Sequence, residues 1–343
     1  MKLQLTIYFT YIFFVSVSIV AYSCQSDSRS KKNTGSGNSF DNRRSSLMLD
    51  LIRAEEMFAA GEPHQALGLI DELASKQPQW ADPYLLKGNI LTTVSQNGRA
   101  RSAYEKLVKI DPDYLSAWFK LGNNAYRNKQ YRQAINFYNQ ELTGKQANAL
   151  QSKDKQITML QIGRCYMHLG EADSALIVYK KCIKIDSLYS EVMGDLARLY
   201  TDNGEYKTAI AFANKAVALD KKNIDYKYSL GTVYLKTNQY MQAVTYLQAV
   251  ADQRPFYEGV YYNLGQAFIR SGNNITGSQY LLKADSIQTM YSNLENLKLA
   301  TDKNPDNQRQ WLELAKAYDS VGMKAAAGQA RLAAQFTSTL KIK

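Results

Sequence analysis

A period of 34 residues runs through most of this 343-residue chain and constrains its fold more than any other feature. The periods begin at Leu47, Ala81, Leu115, Gln156, Ser190, Ile224, Glu258 and Gln308. A small residue lies in the first half of each period, at Ala54, Gly88, Gly122, Gly163, Ala197, Gly231, Gly265 and Ala315. The second half opens at Ala66, Ala100, Ala134, Ala175, Ala209, Ala243, Gly277 and Ala327. A register held over several hundred residues indicates tandem repeats of one structural unit.

Each period predicts a pair of helices. The stretch "AWFKLGNNAYRNKQYRQAINFYNQ" (117–140) reads as an amphipathic helix, a short break and a second amphipathic helix. Proline, which ends a helix, follows four of the second helices, at Pro78, Pro112, Pro255 and Pro305. One pair can cover only one of its two apolar faces, so the next pair must cover the other. The sequence therefore predicts an all-α array of stacked helix pairs.

Two stretches exceed the period. Residues 149–155 follow the third repeat, where a longer helix or a loop is the simplest interpretation. Residues at about 291–307 follow the seventh repeat, and Leu294, Leu297 and Ala300 there have helical spacing. A tolerated insertion is one interpretation of each stretch, and a ridge that docks a partner is the alternative.

The pattern of small, aromatic and apolar residues resembles the tetratricopeptide repeat family, of which about eight copies would cover residues 47–343. The resemblance implies an α-solenoid that forms a right-handed superhelix, with first helices lining a concave groove that binds protein or peptide segments. It implies neither a cofactor nor a catalytic residue. The inward first-helix positions that would contact a peptide are Phe119, Lys120, Asn123, Tyr126, Arg127, Arg164, His168, Arg198, Tyr228, Tyr262, Asn263 and Arg270.

The array ends without the additional solvating helix that is usual in such folds. We therefore expect Leu332, Phe336 and Leu340 of the last helix to be partly exposed. An exposed apolar edge is a candidate dimer or docking surface.

The N-terminus predicts export and a membrane attachment. Residues 1–23 have a charged start, an apolar middle and a small-residue end, as in a secretory signal peptide. Cys24 follows directly, and the arrangement resembles a bacterial lipoprotein signal, in which Cys24 would be diacylated. By that resemblance the protein is anchored in the cell envelope, in the outer membrane facing the periplasm. The alternative is an uncleaved N-terminal anchor, because the apolar run is about the length of a bilayer crossing.

Residues 25–46 are polar and rich in serine, glycine and asparagine, which predicts a disordered tether between the membrane and the repeats. The net charge of +11 arises mostly from scattered basic residues, which are typical of solvated helix faces. We therefore predict no nucleic-acid partner.

Residues able to perform chemistry are sparse. Of the two histidines, His64 opens a second helix, and His168 shares a helix face with Cys165. A metal site at Cys165 and His168 would lack a third ligand, so the sequence predicts no metal centre and no enzyme. Cys182 occupies a small core position, which indicates packing.

Two functional hypotheses follow. The first is a membrane-anchored scaffold that binds protein segments in its groove and serves the assembly or regulation of an envelope complex. The second is a pilot or assembly lipoprotein that holds a membrane-protein subunit through its insertion or its C-terminal helix.

Overall fold

The computed structural model describes the backbone of residues 37–340 and the side chains of residues 46–338. In this part of the chain the secondary structure is sixteen α-helices and one 3₁₀ turn, without a β-strand. The first eight helices are α1 Gly37–Ala59, α2 Pro63–Lys76, α3 Asp82–Thr93, α4 Asn97–Ile110, α5 Ala117–Arg127, α6 Tyr131–Thr143, α7 Ser152–His168 and α8 Ala172–Ile185. The second eight are α9 Ser190–Asp202, α10 Tyr206–Leu219, α11 Ile224–Lys236, α12 Tyr240–Gln253, α13 Val260–Arg270, α14 Asn274–Lys303, α15 Gln308–Ser320 and α16 Lys324–Leu340.

The helices follow one another as eight first-helix and second-helix pairs, and the predicted all-α solenoid is confirmed. Contacts divide the described chain into two compact units, the first ending at Ile90 and the second beginning at Leu91. In the first unit α1 and α2 pack together, with Ala54 and Ala66 fully buried. In the second unit each first helix packs against its second helix and against the preceding pair.

Close approach of the paired helices explains the small residues of the repeat. A side chain at Gly122 would overlap the ring of Tyr138, and one at Gly163 would overlap the ring of Tyr179. Both tyrosines lie on second helices and are fully buried. Glycine on the first helix therefore makes the room that a buried aromatic on the second helix fills.

The turn between the two helices of a pair also keeps the 34-residue register. One residue of each turn has a positive φ, and five of the eight are glycines, at Gly61, Gly170, Gly204, Gly272 and Gly322. Ser95, Lys129 and Asn238 occupy the equivalent position in the other three repeats. Glycine adopts this left-handed conformation without steric strain, which explains its enrichment there.

The first helix begins at Gly37, ten residues before the predicted start of the repeats. Residues 37–46, which the composition assigned to the tether, are therefore helical in the structure. Between Asn38 and Ala60 the sequence contains neither glycine nor proline, so nothing stops the helix of the first repeat from propagating toward its N-terminus. The predicted signal peptide, Cys24 and residues 25–36 lie outside the described residues.

The two insertions take different forms. After α6 the chain forms a 3₁₀ turn, Lys145–Asn148, and α7 begins at Ser152, so residues 149–155 are divided between a loop and the first turn of a helix. After the seventh repeat, α14 continues as one helix of 30 residues. Leu294 of this extension is buried in a cluster with Trp311 and Leu314 of the last repeat. The extension of α14 therefore contributes a buried side chain to the core of the last repeat, in addition to its exposed surface.

The expectation that Phe336 is exposed is wrong. Its side chain is fully buried in the structure, and the guanidinium carbon of Arg99 on α4 lies 5.9 Å from the centre of its ring. Leu332 is half-buried, and the side chain of Leu340 lies outside the described residues. The last helix of the second unit therefore already has part of its apolar face covered, which removes Phe336 from the candidate dimer edge.

None of the described helices combines the length and the apolar composition that a bilayer crossing requires.

Candidate functional site

The predicted binding residues lie on one side of the first helices α5, α7, α9, α11 and α13, which we call the first-helix face. From α7 to α13, each first helix contacts the next one in the chain. Residues on this face can therefore interact from one repeat to the next, and several of them do.

The face of α5 is held in place by the helix behind it. The Tyr138 hydroxyl donates to Oδ1 of Asn123 at 2.8 Å, and the Tyr138 and Phe119 rings lie 5.7 Å apart. Glu141, which the sequence did not single out, accepts the backbone N–H groups of Ser116 and Phe119 at 3.0 and 3.2 Å. Its carboxylate thus occupies the positive end of α5. Burial raises the pKa of Glu141, although these hydrogen bonds partly offset that rise.

Lys120 and Arg127 are the two cations of α5. Lys120 is half-buried and Arg127 is exposed, and neither side chain makes a hydrogen bond or an ion pair within residues 46–338. Burial lowers the pKa of Lys120, and the positive charge of Arg127 lowers it further. The structure therefore leaves two positive charges on this face without a counter-ion from the described chain.

An aromatic cluster joins the third repeat to the fourth. The Tyr126 hydroxyl lies 2.9 Å from Nε2 of His168, and the His168 ring stacks on Tyr131 with 4.5 Å between ring centres. Burial lowers the pKa of His168, and the positive charge of Arg198 lowers it further. Neutral His168 thus serves as a packing and hydrogen-bonding residue.

Asp195 organises the middle of the first-helix face. Its carboxylate accepts a hydrogen bond from Nε of Arg164 at 2.7 Å and another from a terminal nitrogen of Arg198 at 3.2 Å. The Tyr179 hydroxyl lies 3.4 Å from the same carboxylate. Only 11% of the Asp195 side chain is exposed. Burial opposes the charge on Arg164, but the Asp195 carboxylate outweighs this effect and raises the pKa of Arg164. Two arginines that were predicted to meet a ligand are thus paired within the protein.

Tyrosines form the last part of the face. The Asn263 amide donates to the Tyr228 hydroxyl at 3.0 Å, and the Tyr228 and Tyr257 rings lie 4.8 Å apart. Burial raises the pKa of Tyr228. Tyr262, by contrast, is 55% exposed, and Arg270 is exposed as well.

The twelve predicted residues therefore form two groups. Eight of them pack or hydrogen-bond within the fold, namely Phe119, Asn123, Tyr126, Arg164, His168, Arg198, Tyr228 and Asn263. Lys120, Arg127, Tyr262 and Arg270 are the residues whose side chains remain available to a partner. Asp195, Glu141, Tyr131 and Tyr257 were missed. The i, i+3 spacing of Asp195 and Arg198 is the one sequence signal that could have indicated an ion pair.

The structure offers no metal centre in its described part, where no three His, Cys, Asp or Glu side chains are grouped closely enough to hold an ion. Cys165 and Cys182 are buried free thiols, and burial raises the pKa of each to about 12. Thiols with such a pKa stay protonated at neutral pH and are poor nucleophiles and poor metal ligands.

Comparison with known proteins places this geometry in a family. Two tetratricopeptide repeat family models match residues 85–149 and 158–187, and the model of anaphase-promoting complex, cyclosome, subunit 3 matches residues 202–283. The Cut9 and Hcn1 hetero-tetramer of the APC/C is similar in structure, with a TM-score of 0.55 at 18% identity. The chain is a tetratricopeptide repeat protein.

Two further solved structures resemble this tetratricopeptide repeat protein. PilW, a type IV pilus biogenesis factor, gives a TM-score of 0.54 at 16% identity, with 64% of this chain and 98% of PilW covered. Pseudomonas aeruginosa pilF gives a TM-score of 0.52 at 14% identity, with 62% of this chain and 94% of pilF covered. The match to the APC/C structure covers 69% of this chain and 45% of the other. These identities show the fold alone. A comparison with curated protein sequences finds no match.

Proposed function

We propose that this protein is a non-catalytic, membrane-anchored scaffold that binds an extended, acidic protein segment on its first-helix face. The observation that carries the proposal is the pair Lys120 and Arg127, which the fold holds on one helix without a counter-ion from the described residues. A half-buried ammonium group is destabilising unless an anion pairs with it. A carboxylate of a bound segment would supply that anion.

The fixed residues around this pair support a peptide ligand. Phe119 and Tyr126 are ordered by contacts with Tyr138, Tyr131 and His168, so they present aromatic surface without losing side-chain freedom on binding. Tyr262 extends the aromatic surface two repeats beyond the Asp195 network. An extended segment can contact several repeats in turn, which suits a face built from consecutive first helices.

The test is a selection of peptides from a displayed random library, followed by affinity measurements with single peptides. We expect acidic sequences to be enriched on the wild-type chain. The double variant Lys120→Met with Arg127→Gln should weaken their binding by about tenfold or more, since each tenfold is about 1.4 kcal/mol. The variant should also be at least as stable as the wild type, because the fold disfavours the charge of Lys120.

A matched control removes two exposed lysines from second helices, Lys180→Met with Lys207→Gln. It should bind the selected peptides as the wild type does. Enrichment of uncharged peptides, or an equal loss of binding in both double variants, would argue against the proposal.

The membrane attachment and the cellular place belong to the same proposal. The N-terminal signal and Cys24 support a lipid anchor in the outer membrane, and PilW, a structure of similar fold, is a pilus biogenesis factor. We therefore propose a role in assembling or regulating an envelope complex. Mass spectrometry of the mature N-terminus tests the anchor: a diacylated Cys24 is expected, and an intact Met1 would instead indicate the uncleaved anchor.

A further inference from the structure

One edge of the second unit carries exposed apolar side chains where turns are ordinarily polar. The second helices α8, α10 and α12 run in the same direction, so their C-terminal ends and the loops that follow lie along one edge. We call this edge, comprising residues 181–188, 215–222 and 253–256, the inter-repeat edge. Its exposed apolar residues are Ile185 (41%), Leu188 (68%), Leu219 (41%) and Phe256 (38%).

Lysines accompany these apolar residues. Lys181 precedes Ile185 by four positions on α8, and Lys215 precedes Leu219 by four positions on α10, so each pair shares a helix side. Lys184, Lys221 and Lys222 are also exposed at the edge. None of these five lysines is in an ion pair within the described residues, although Lys215 lies 5.6 Å from the Phe212 ring centre.

Acidic groups at the edge are fewer, and two of them are engaged by their own loops. Asp186 accepts the backbone N–H of Leu188 at 2.8 Å, and Asp220 accepts that of Lys222 at 3.1 Å. Farther along, Asp252 accepts an amide hydrogen from Gln248 at 2.8 Å, and Arg254 is exposed beside Phe256. Glu191 is exposed in the first turn of α9. Asp225, in the first turn of α11, and Glu258, two residues after Phe256, are exposed as well, and Asp225 accepts a hydrogen bond from the Tyr257 hydroxyl at 2.8 Å. Within the residues that define the edge, six cations outnumber two carboxylates, so the edge itself carries a net positive charge.

We propose that the inter-repeat edge of repeats four to six docks on an anionic phospholipid surface. Lysines are attracted to anionic headgroups, and single apolar side chains between them can each enter the interface without a matching pocket. An acidic soluble partner would account for the lysines but would not account for Leu188, whose side chain stands out in a loop at 68% exposure. This docking is separate from peptide binding, because the edge residues lie on second helices and loops.

The test places an environment-sensitive NBD fluorophore on Cys introduced by Ser187→Cys, between the apolar residues of the first edge loop. The full chain also carries Cys24→Ser, so that the buried Cys165 and Cys182 are the other thiols. The protein is reconstituted in phosphatidylcholine vesicles with and without phosphatidylglycerol. We expect the NBD emission to shift to the blue and to be quenched by brominated lipid only with phosphatidylglycerol, and high salt should reverse the shift. NBD at Asn203→Cys is the control, because this residue lies in the turn before α10, at the end of the second helices opposite to the edge. It should stay exposed to water with both types of vesicle.

Charge-reversal variants distinguish binding through the lysines of this edge from attraction due to the net positive charge of the whole protein. Lys181→Glu, Lys221→Glu and Lys222→Glu together should reduce the lipid-inserted fraction of NBD at position 187 by about tenfold or more. The matched control has the same net charge and should leave the lipid-inserted fraction of NBD unchanged; it combines Lys207→Glu, Lys236→Glu and Lys324→Glu. Equal losses in the two triple variants would overturn the proposal. So would an NBD signal that responds to soluble polyglutamate but not to anionic vesicles, which would assign the edge to an acidic protein.

Discussion

At the residue scale, Asp195 joins more of the first-helix face than any other side chain discussed above. It pairs with Arg164 and Arg198 and lies within reach of the Tyr179 hydroxyl. These contacts connect the fourth repeat to the fifth. A carboxylate in this position has a structural role, because it forms ion pairs with two arginines on two neighbouring first helices.

Asp195→Ala should therefore destabilise the protein by about 1–3 kcal/mol, because it leaves the half-buried Arg164, whose side chain is 31% exposed, without its counter-charge. The free energy of unfolding in urea gives the measurement. Asp202→Ala removes an exposed carboxylate from the same helix and should change stability by about 0.5 kcal/mol or less. Equal effects of the two substitutions would contradict the role assigned to Asp195.

His168 makes stability depend on pH. Its pKa in the folded chain is lowered by burial and by Arg198, whereas the unfolded chain has the ordinary value of about 6.5. The unfolded chain thus binds the proton more readily. The stability of the wild type relative to His168→Gln should fall as the pH drops through about 6.5 and become level below the folded pKa. Urea unfolding of both proteins between neutral and mildly acidic pH measures this difference, and a constant difference would contradict the lowered pKa.

At the element scale, the contacts between paired helices were the most predictable part of the structure. The small residue at Gly122 or Gly163 has a direct sequence signal, because glycine or alanine recurs at this position in every repeat. The second-helix side chain that fills the space varies: it is a tyrosine opposite Gly122 and Gly163 and a leucine opposite Gly231 and Gly265. The cross-repeat pairs, such as Arg164 with Asp195, have no comparable signal. They depend on how far one helix pair is rotated against the next, which the period does not determine. For the same reason the burial of Phe336 was missed.

Gly163→Ala should lower stability by about 1–3 kcal/mol, since the added methyl group overlaps the fully buried Tyr179 ring. Gly328→Ala is the matched control on a helix, because nothing lies within 4 Å of its added methyl group. It should raise stability by up to about 1 kcal/mol through helix propensity. Thermal unfolding of the two variants would show shifts of opposite sign, and a stabilising Gly163→Ala would refute the proposed packing.

The extension of α14 should stabilise the last repeat. Leu294→Ala removes a buried contact with the Trp311 cluster and should reduce the protection of α15 and α16 by about 2–4 kcal/mol. Hydrogen exchange of those helices gives this value locally, which suits a repeat protein whose unfolding need not be two-state. Leu299→Ala, on the same helix but 47% exposed, should leave the protection nearly unchanged. Similar protection in both variants would show that the extension is independent of the last repeat.

At the scale of the whole molecule, the two proposed functions fall on different surfaces of the repeats. First helices present Lys120, Arg127 and Tyr262 on one face, while the ends of the second helices carry the lysines and apolar residues of the inter-repeat edge. A stacked array allows this separation, because each repeat contributes to both surfaces independently. We therefore expect variants of one surface to leave the function of the other unchanged.

Site-specific photocrosslinking in cells tests most directly whether the first-helix face is the binding surface. A benzophenone amino acid replaces Tyr262 on that face or Ile177 on a second helix, two positions with nearly equal exposure of 55% and 58%. The account predicts a discrete protein adduct from position 262 that disappears when Lys120→Met and Arg127→Gln are added, and none from position 177. An adduct from position 177 alone, or one from position 262 that persists in the double variant, would contradict it.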